Sequence, residues 1–320
     1  MISGSAPDQP RGDRRAGCQT LAMGVSYEGE RHRRGSFAEE VDAYDGGRPG
    51  YPDRVYELLR QRCGLRAGAR VLEIGPGTGQ ATRRLLDAGA SITAVELGAE
   101  LALRLESNLR GRDLRVQVGA FEDMPFEDGS FDLVVAATSF HWLPANERLH
   151  RCADVLRTGG ALALWWNVFG DPDRADPFQD ALTPVLERLA PALLEVPGAG
   201  NPTTGQPPYA LDTAARRAEI DASSRFGPVH HEVIAWTGRH RPDALRALFA
   251  SFSPWLALPP DQRTRVLDEL ERLAREDFGG IVERPYLTPV YVAAKQQPFQ
   301  DRGWWQSLVR SSRYPSPNPG

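Results

Sequence analysis

A chain of 320 residues with 41% hydrophobic and 25% charged content is neither disordered nor fibrous by composition, and it is long enough for one large domain with an insertion or two smaller ones. The formal net charge of −4 argues against a phosphate backbone as partner, and every basic residue except Lys295 is arginine. No stretch approaches the roughly 18 continuous apolar residues of a membrane span, and Cys18, Cys63 and Cys152 lack the spacing of a disulfide framework or a zinc site.

Residues 1–35 are rich in Gly, Arg, Ser and Pro and carry no apolar periodicity, so they are expected to be disordered, with Met23 a second candidate start. Arg14-Arg15 ahead of the weakly apolar 16–25 resembles a twin-arginine export signal, but Gln19 and Thr20 interrupt it, and a cytoplasmic protein is expected. Order is expected to begin at Phe37. Val55, Leu58 and Leu59, between Pro52 and Gly64, predict a short amphipathic helix over 53–63.

From Arg70 the pattern becomes short apolar runs at 71–74, 91–96, 114–118, 131–137 and 161–166, separated by helix-like stretches near 80–88, 99–109 and 144–157. Such alternation predicts right-handed βαβ crossovers and a parallel sheet covered on both faces. The expected fold is therefore α/β, a Rossmann-like doubly wound, mostly parallel sheet, with its core at 36–168. Residues 169–228, with Pro172, Pro177, Pro184, Pro202, Pro207 and Pro208 around one predicted helix at 178–190, read as an inserted helical cap over the site. Residues 229–295 are expected to complete the domain with strands at 229–236 and 286–294 and helices at 242–251 and 261–277, and 296–320 to form a disordered tail.

The chemistry is concentrated at Val71-Leu72-Glu73-Ile74-Gly75-Pro76-Gly77-Thr78-Gly79-Gln80, which joins the first strand to the next helix. Glycines there let a backbone approach a ligand closely, and the helix N-terminus offers free N–H groups. A dinucleotide fingerprint needs G-x-G-x-x-G, but the third glycine here comes one position early, with Gln80 in its place. Glu73 would repel a pyrophosphate and attract the ammonium of a methionine moiety, so the charge logic favours S-adenosylmethionine (SAM) over NAD. Glu96, 21 residues after Gly75 at the end of the second strand, is placed to accept bonds from two ribose hydroxyls.

With these pieces in place the chain resembles the class I SAM-dependent methyltransferases, in their small-molecule, type 11-like branch with an E-x-G-x-G-x-G loop. The resemblance covers about residues 37–168. It implies SAM as cofactor, a small-molecule methyl acceptor, and cofactor contacts from Glu73, Gly75, Gly77, Gly79, Glu96 and the adjoining Leu97. Gly119-Ala120-Phe121-Glu122-Asp123-Met124-Pro125-Phe126 is similar to the family's G-D-A-E-D-L-P-F, with Ala120 where an adenine-binding acid often stands. Phe121, through its N–H, and Glu122 or Asp123 are the contacts it leaves there. Tyr44-Asp45-Gly46-Gly47-Arg48-Pro49-Gly50-Tyr51-Pro52 resembles the family lead-in that folds over the methionine end of SAM, which makes Tyr44 and Arg48 candidates.

Ala136-Ala137-Thr138-Ser139-Phe140-His141-Trp142-Leu143 resembles the A-x-x-x-H-W segment lining the gap between cofactor and acceptor, with Thr138 facing the cofactor. His141 is the candidate general base, since imidazole titrates near neutrality, and packing or capping is its simpler role. Trp165, Trp166, Trp236 and Trp255 read as packing residues. Adjacent strand residues point to opposite faces, so His230-His231 cannot share one ion and no metal is expected. The rival readings are an NAD-dependent oxidoreductase, weakened by the glycine spacing and Glu73, and a SAM-fold binding protein that methylates nothing.

Overall fold

The computed structural model describes residues 41–196 and 208–296, with only the backbone of 42–44. The expected start of order at Phe37 and both expected disordered tails, apart from Gln296, lie outside these residues.

Among the described residues eight strands form one sheet in the order β3-β2-β1-β4-β5-β8-β6, with β7 on the far side of β8. The first five, β1 (Arg70–Ile74), β2 (Ser91–Glu96), β3 (Leu114–Val118), β4 (Phe131–Ala137) and β5 (Leu156–Trp165), are parallel. Alternation along β1 and β4 splits the core. Val71, Leu133 and Val135 face one side with Val55, Tyr56, Leu58 and Leu59 of α2 (Asp53–Arg62), which follows α1 (Val41–Gly47). Leu72 and Val134 face the other side with Leu149, Cys152 and Ala153 of α5 (Arg148–Val155). The two remaining crossovers are α3 (Thr82–Asp87) and α4 (Ala99–Asn108). Their order and handedness place the carboxyl ends of β1, β2 and β4 together, where ligands bind in open α/β sheets.

The expected 161–166 strand begins earlier, at Leu156, because an irregularity opposite Phe131 and Leu133 lets the chain re-enter the ladder directly after α5. The last strands, β7 (His230–His240) and β8 (Val282–Ala294), are also longer than their sequence patterns suggest. Pro285 and Pro289 lie inside β8 although it is paired on both sides. Their carbonyls accept from Gly170 and Trp166, so the missing N–H of Pro289 falls at the break between β5 and β6 (Val168–Phe169) and that of Pro285 just beyond the end of β6.

Where one helix was expected in 169–228, the described residues of that stretch hold three: α6 (Pro177–Leu189), α7 (Ala192–Glu195) and α8 (Thr213–Ala222). α6 starts on an Asp176 cap, with Gln179 N–H to Asp176 Oδ1 at 3.0 Å, and carries Pro184 within it. It packs with α9 (Pro242–Ala250), the one-turn α10 (Ser253–Leu256) and α11 (Pro260–Glu276) around a third core built on Phe178, Leu182, Phe249, Trp255 and Leu270. α1 joins this layer to the sheet domain. A Cβ on Gly47 would sit 2.2 Å from Leu248 N, so glycine lets the two helices touch. No helix among the described residues is long and apolar enough to cross a membrane.

Candidate active site

The loop after β1 is held open by backbone geometry that only glycine adopts freely: φ is +64° at Gly75, +59° at Gly77 and +104° at Gly79. A Cβ at Gly75 would meet Ser139 Cβ at 2.6 Å, so this glycine brings the loop against the end of β4. Ser139 Oγ donates to Ile74 O at 2.5 Å and closes that junction. Asn108 of α4 donates to Thr78 O and to Asp45 Oδ1, each at 3.0 Å, tying the loop to α1.

Glu96 ends β2 beside this loop, buried, with Oε2 accepting from Gly77 N–H and Oε1 from Gly98 N–H, both at 3.0 Å. Burial raises its pKa, opposed by those backbone donors and by Leu97 N–H. Each carboxylate oxygen keeps a second lone pair for a diol. Leu97 is half-buried at the same strand end.

Glu73 is the contrasting acid. It is fully buried at the end of β1, and neither carboxylate oxygen has a hydrogen-bond partner. Thr82 Oγ1, Tyr56 Oη and Trp165 Nε1 are also buried without partners. Burial pushes the Glu73 carboxyl up to about 7, with the nearby Thr82 hydroxyl opposing and the Glu96 charge adding. An uncompensated acid under a glycine loop fits a ligand that brings an ammonium group and does not fit a pyrophosphate.

In front of the loop lies a cleft lined by Arg48, Tyr51, Pro76, Gln80, Thr138 and Asn167, among others. Thr138 holds φ +60°, strained for a β-branched residue. Its hydroxyl meets Tyr51 Oη at 3.0 Å and accepts from Asn167 N–H at 3.4 Å. Asn167 is oriented by Thr288, which donates to its Oδ1 at 2.8 Å, and it donates to Gly50 O at 3.0 Å. Arg48 is anchored on Ser251, with Nε to Oγ at 2.9 Å and Nη2 to the carbonyl at 3.1 Å, and lies over the Phe252 ring.

A family model described as "Methyltransferase domain" matches residues 72–164, which span β1 to most of β5. An uncharacterized methyltransferase of Mycobacterium tuberculosis (strain ATCC 25618 / H37Rv) is 30% identical over 239 residues, 74% of this chain and 85% of the relative. The chain belongs to the class I SAM-dependent methyltransferases, in the type 11 branch. The malonyl-[acyl-carrier protein] O-methyltransferase of Geobacter sulfurreducens is 36% identical over 138 residues, covering 42% of this chain and 50% of that protein. Among solved structures, a putative type II methyltransferase from Anaeromyxobacter dehalogenans shares the fold with TM-score 0.53 at 22% identity, over 78% of this chain and 97% of that one.

Of the residues expected to serve this methyltransferase, Glu73, the three glycines, Glu96, Leu97, Thr138 and Arg48 gather at the ends of β1, β2 and β4. Phe121 is buried and Glu122 half-buried in a 3₁₀ turn after β3. Tyr44 lies in α1, and its side chain falls outside the described atoms. His141 is not among the residues that line the cleft. It sits in a second 3₁₀ turn, over 140–142, against the rings of Trp142 and Tyr209, and its Nδ1 accepts from Trp166 Nε1–H at 3.0 Å. That bond fixes the proton of a neutral imidazole on Nε2 and occupies the Nδ1 lone pair, which weighs against a base role.

Sequence reasoning missed Tyr51 and Asn167. Tyr51 stood inside the lead-in motif, where spacing from Thr138 was the absent information. Asn167 follows two tryptophans at the break between β5 and β6, and no local pattern marks it. His231 packs on Tyr291 while His230 Nε2 is buried without a partner, and the described residues contain no cluster of three or more metal-ligating side chains.

Proposed function

We propose that this methyltransferase binds SAM across the ends of β1, β2 and β4 and transfers its methyl group to a small-molecule acceptor. Glu73 holds the ammonium group, directly or through water, beneath the Gly75, Gly77 and Gly79 loop. Glu96, with Leu97 beside it, takes the ribose. Phe121 and Glu122 flank the adenine, and Arg48 and Thr138 close over the methionine end, with Tyr44 of α1 a further candidate there. Bound SAM supplies an activated methyl on a sulfonium. The chain's own work is to hold the acceptor's nucleophile in line behind that carbon, so that the carbon–sulfur bond breaks as the new bond forms. Positioning carries most of such a reaction, and Tyr51, Pro76 and Phe169 are among the residues that shape the cleft.

The observation that carries this reading is the orphaned Glu73 carboxylate, since a buried acid without a cation is retained where a ligand provides one. Calorimetric titration with SAM, S-adenosylhomocysteine and NADH tests it. One-to-one binding of the first two and none of NADH is expected, and binding of NADH in preference to both overturns the reading. Incubation with methyl-labelled SAM and a panel of small acceptors tests transfer, and tight SAM binding with no labelled product across the panel favours a binding protein instead.

A further inference from the structure

Arg148, the first residue of α5, is 6% exposed and takes no part in the cofactor half of the site. All five of its N–H donors are used. Nη1 donates to Phe140 O at 3.1 Å and to Leu143 O at 3.3 Å, the two carbonyls that bracket His141 and Trp142. Nε donates to Glu219 Oε1 at 2.7 Å, while Nη2 donates to the same oxygen and to Tyr209 Oη at 3.0 Å. An arginine has five such donors in a rigid fork, so this one is saturated between two parts of the chain.

Those two parts are the turn after β4 and the end of the insertion. Tyr209 and Glu219 lie 61 and 71 residues further along than Arg148. Tyr209 stands 5.8 Å from the His141 ring and 5.7 Å from the Trp166 ring, and Trp166 is the residue that bonds His141. Arg216 of α8 lies 3.5 Å from the Tyr209 ring centroid and donates to Glu219 Oε2 at 2.8 Å. α8 itself buries only Ile220, so apolar packing contributes little to its docking and the polar clamp carries more.

We propose that Arg148 is a positioning residue that makes the His141 turn depend on the docked insertion, so that the acceptor side of the site is assembled only when Tyr209 and Glu219 are in place. This rests on the methyl-transfer reading for its meaning. Its test uses the protein alone. Glu219 touches Arg148, Tyr209 and Arg216, and no contact with the turn itself is among these bonds. A purely local role would therefore confine the effect of its removal to α8.

In Glu219→Ala, amide hydrogen exchange is expected to rise about tenfold or more at 140–143 as well as in α8. The Trp166 indole N–H resonance, assigned with Trp166→Phe, should move in the direction it takes in His141→Ala. Glu219→Gln, which keeps one acceptor oxygen, should recover part of both changes, and Tyr209→Phe should give smaller changes in both places if Glu219→Ala proves too unstable to study. S-adenosylhomocysteine affinity should stay unchanged in all of them. Exchange that rises in α8 alone, with the indole resonance unmoved, overturns the proposal. Failure of the unaltered protein to bind S-adenosylhomocysteine would instead overturn the methyl-transfer reading, which the exchange and indole measurements do not depend on.

Discussion

Two buried carboxylates, one in each half of the molecule, are treated in opposite ways. Asp176, in the helical half, is fully engaged: Oδ1 caps α6, and Oδ2 accepts from Arg284 Nε at 3.0 Å and Nη2 at 2.7 Å. Arg284 is itself completely buried and also donates to Gln179 Oε1 at 2.8 Å. Glu73, in the sheet half, has no partner for either oxygen. A buried acid paired with an arginine fixes how α6 meets β8, whereas an acid without such a pair lowers the stability of the protein alone and, on the proposed reading, gains its partner from a ligand. On the proposed reading the difference separates a region that holds the fold together from one that receives a ligand.

The largest effect should come from breaking the Asp176–Arg284 pair. Arg284→Met leaves Asp176 charged and buried, a change that typically costs about 3–5 kcal/mol. Urea unfolding should show a loss of this size. A loss below about 1 kcal/mol would mean that water reaches Asp176 and that its burial does not make it structural. If the altered protein still folds, its S-adenosylhomocysteine affinity should be preserved, because Arg284 bonds Asp176 and Gln179 and is not among the residues that line the cleft.

The pH dependence of stability sharpens the contrast. Glu73 is raised to about 7, so in the native state it keeps a proton that the unfolded chain gives up near the ordinary glutamate value of 4.5. Stability therefore falls as pH rises from about 4.5 to about 7, by about 3 kcal/mol in all. His240, bonded through Nε2 to Tyr286 Oη at 2.8 Å, is pushed by burial from 6.5 down to about 4, with the Arg284 charge adding. The unfolded chain binds its proton first, so this group removes stability as pH falls from about 6.5 to about 4, by a similar amount. The two slopes oppose each other where they overlap. Glu73→Gln should abolish the decline toward neutral pH and raise the melting temperature above pH 7, while His240→Asn should flatten the acid side. Parallel pH curves for the wild type and Glu73→Gln would show that Glu73 is not a buried titrating acid.

How far these two halves were legible in the sequence follows from the same distinction. The sheet half reads from local pattern: VLEI followed by spaced glycines, a carboxylate 21 residues on, and alternating strands and helices give β1 to β5 and the loop. The helical half does not. Prolines that break helices or strands by rule sit inside α6 and β8, because Pro184 stays in a helix held by Phe178 and Leu182, Pro289 faces the gap between β5 and β6, and Pro285 lies just beyond the end of β6. The partners that matter there are far apart in the chain, as with Asp176 and Arg284 at 108 residues and Arg148 and Glu219 at 71. Periodicity carries no information about such pairs.

A smaller effect is expected at Glu96. If Glu96 accepts from the ribose hydroxyls as proposed, Glu96→Ala removes those bonds and also releases Gly77 N–H, and SAM binding should weaken by about 1–3 kcal/mol. Calorimetry at fixed pH measures this directly, and unchanged affinity would detach Glu96 from the ribose. The loop should remain folded in the variant, because Gly75 N–H still donates to Val95 O at 2.9 Å and Asn108 still holds Thr78.

The smallest effect on cofactor binding belongs to His141, and it decides between two accounts of the chemistry. As a general base His141 would need a free lone pair directed at the acceptor, and His141→Ala would then lower turnover roughly 100-fold or more. The Trp166 bond takes the Nδ1 lone pair and leaves Nε2 as the protonated nitrogen, a donor that can orient an acceptor and cannot deprotonate it in that tautomer. The expected outcome is that His141→Ala reduces turnover by less than about tenfold, leaves SAM affinity unaltered and does not remove a step from the pH–rate profile. Trp166→Phe adds a sharper arm, since it frees Nδ1 without deleting the ring. Under the orienting role it should lower activity modestly, because the imidazole loses its fixed tautomer. A 100-fold loss in His141→Ala together with disappearance of a near-neutral limb would restore the base, and the Trp166 bond would then have to open before each transfer.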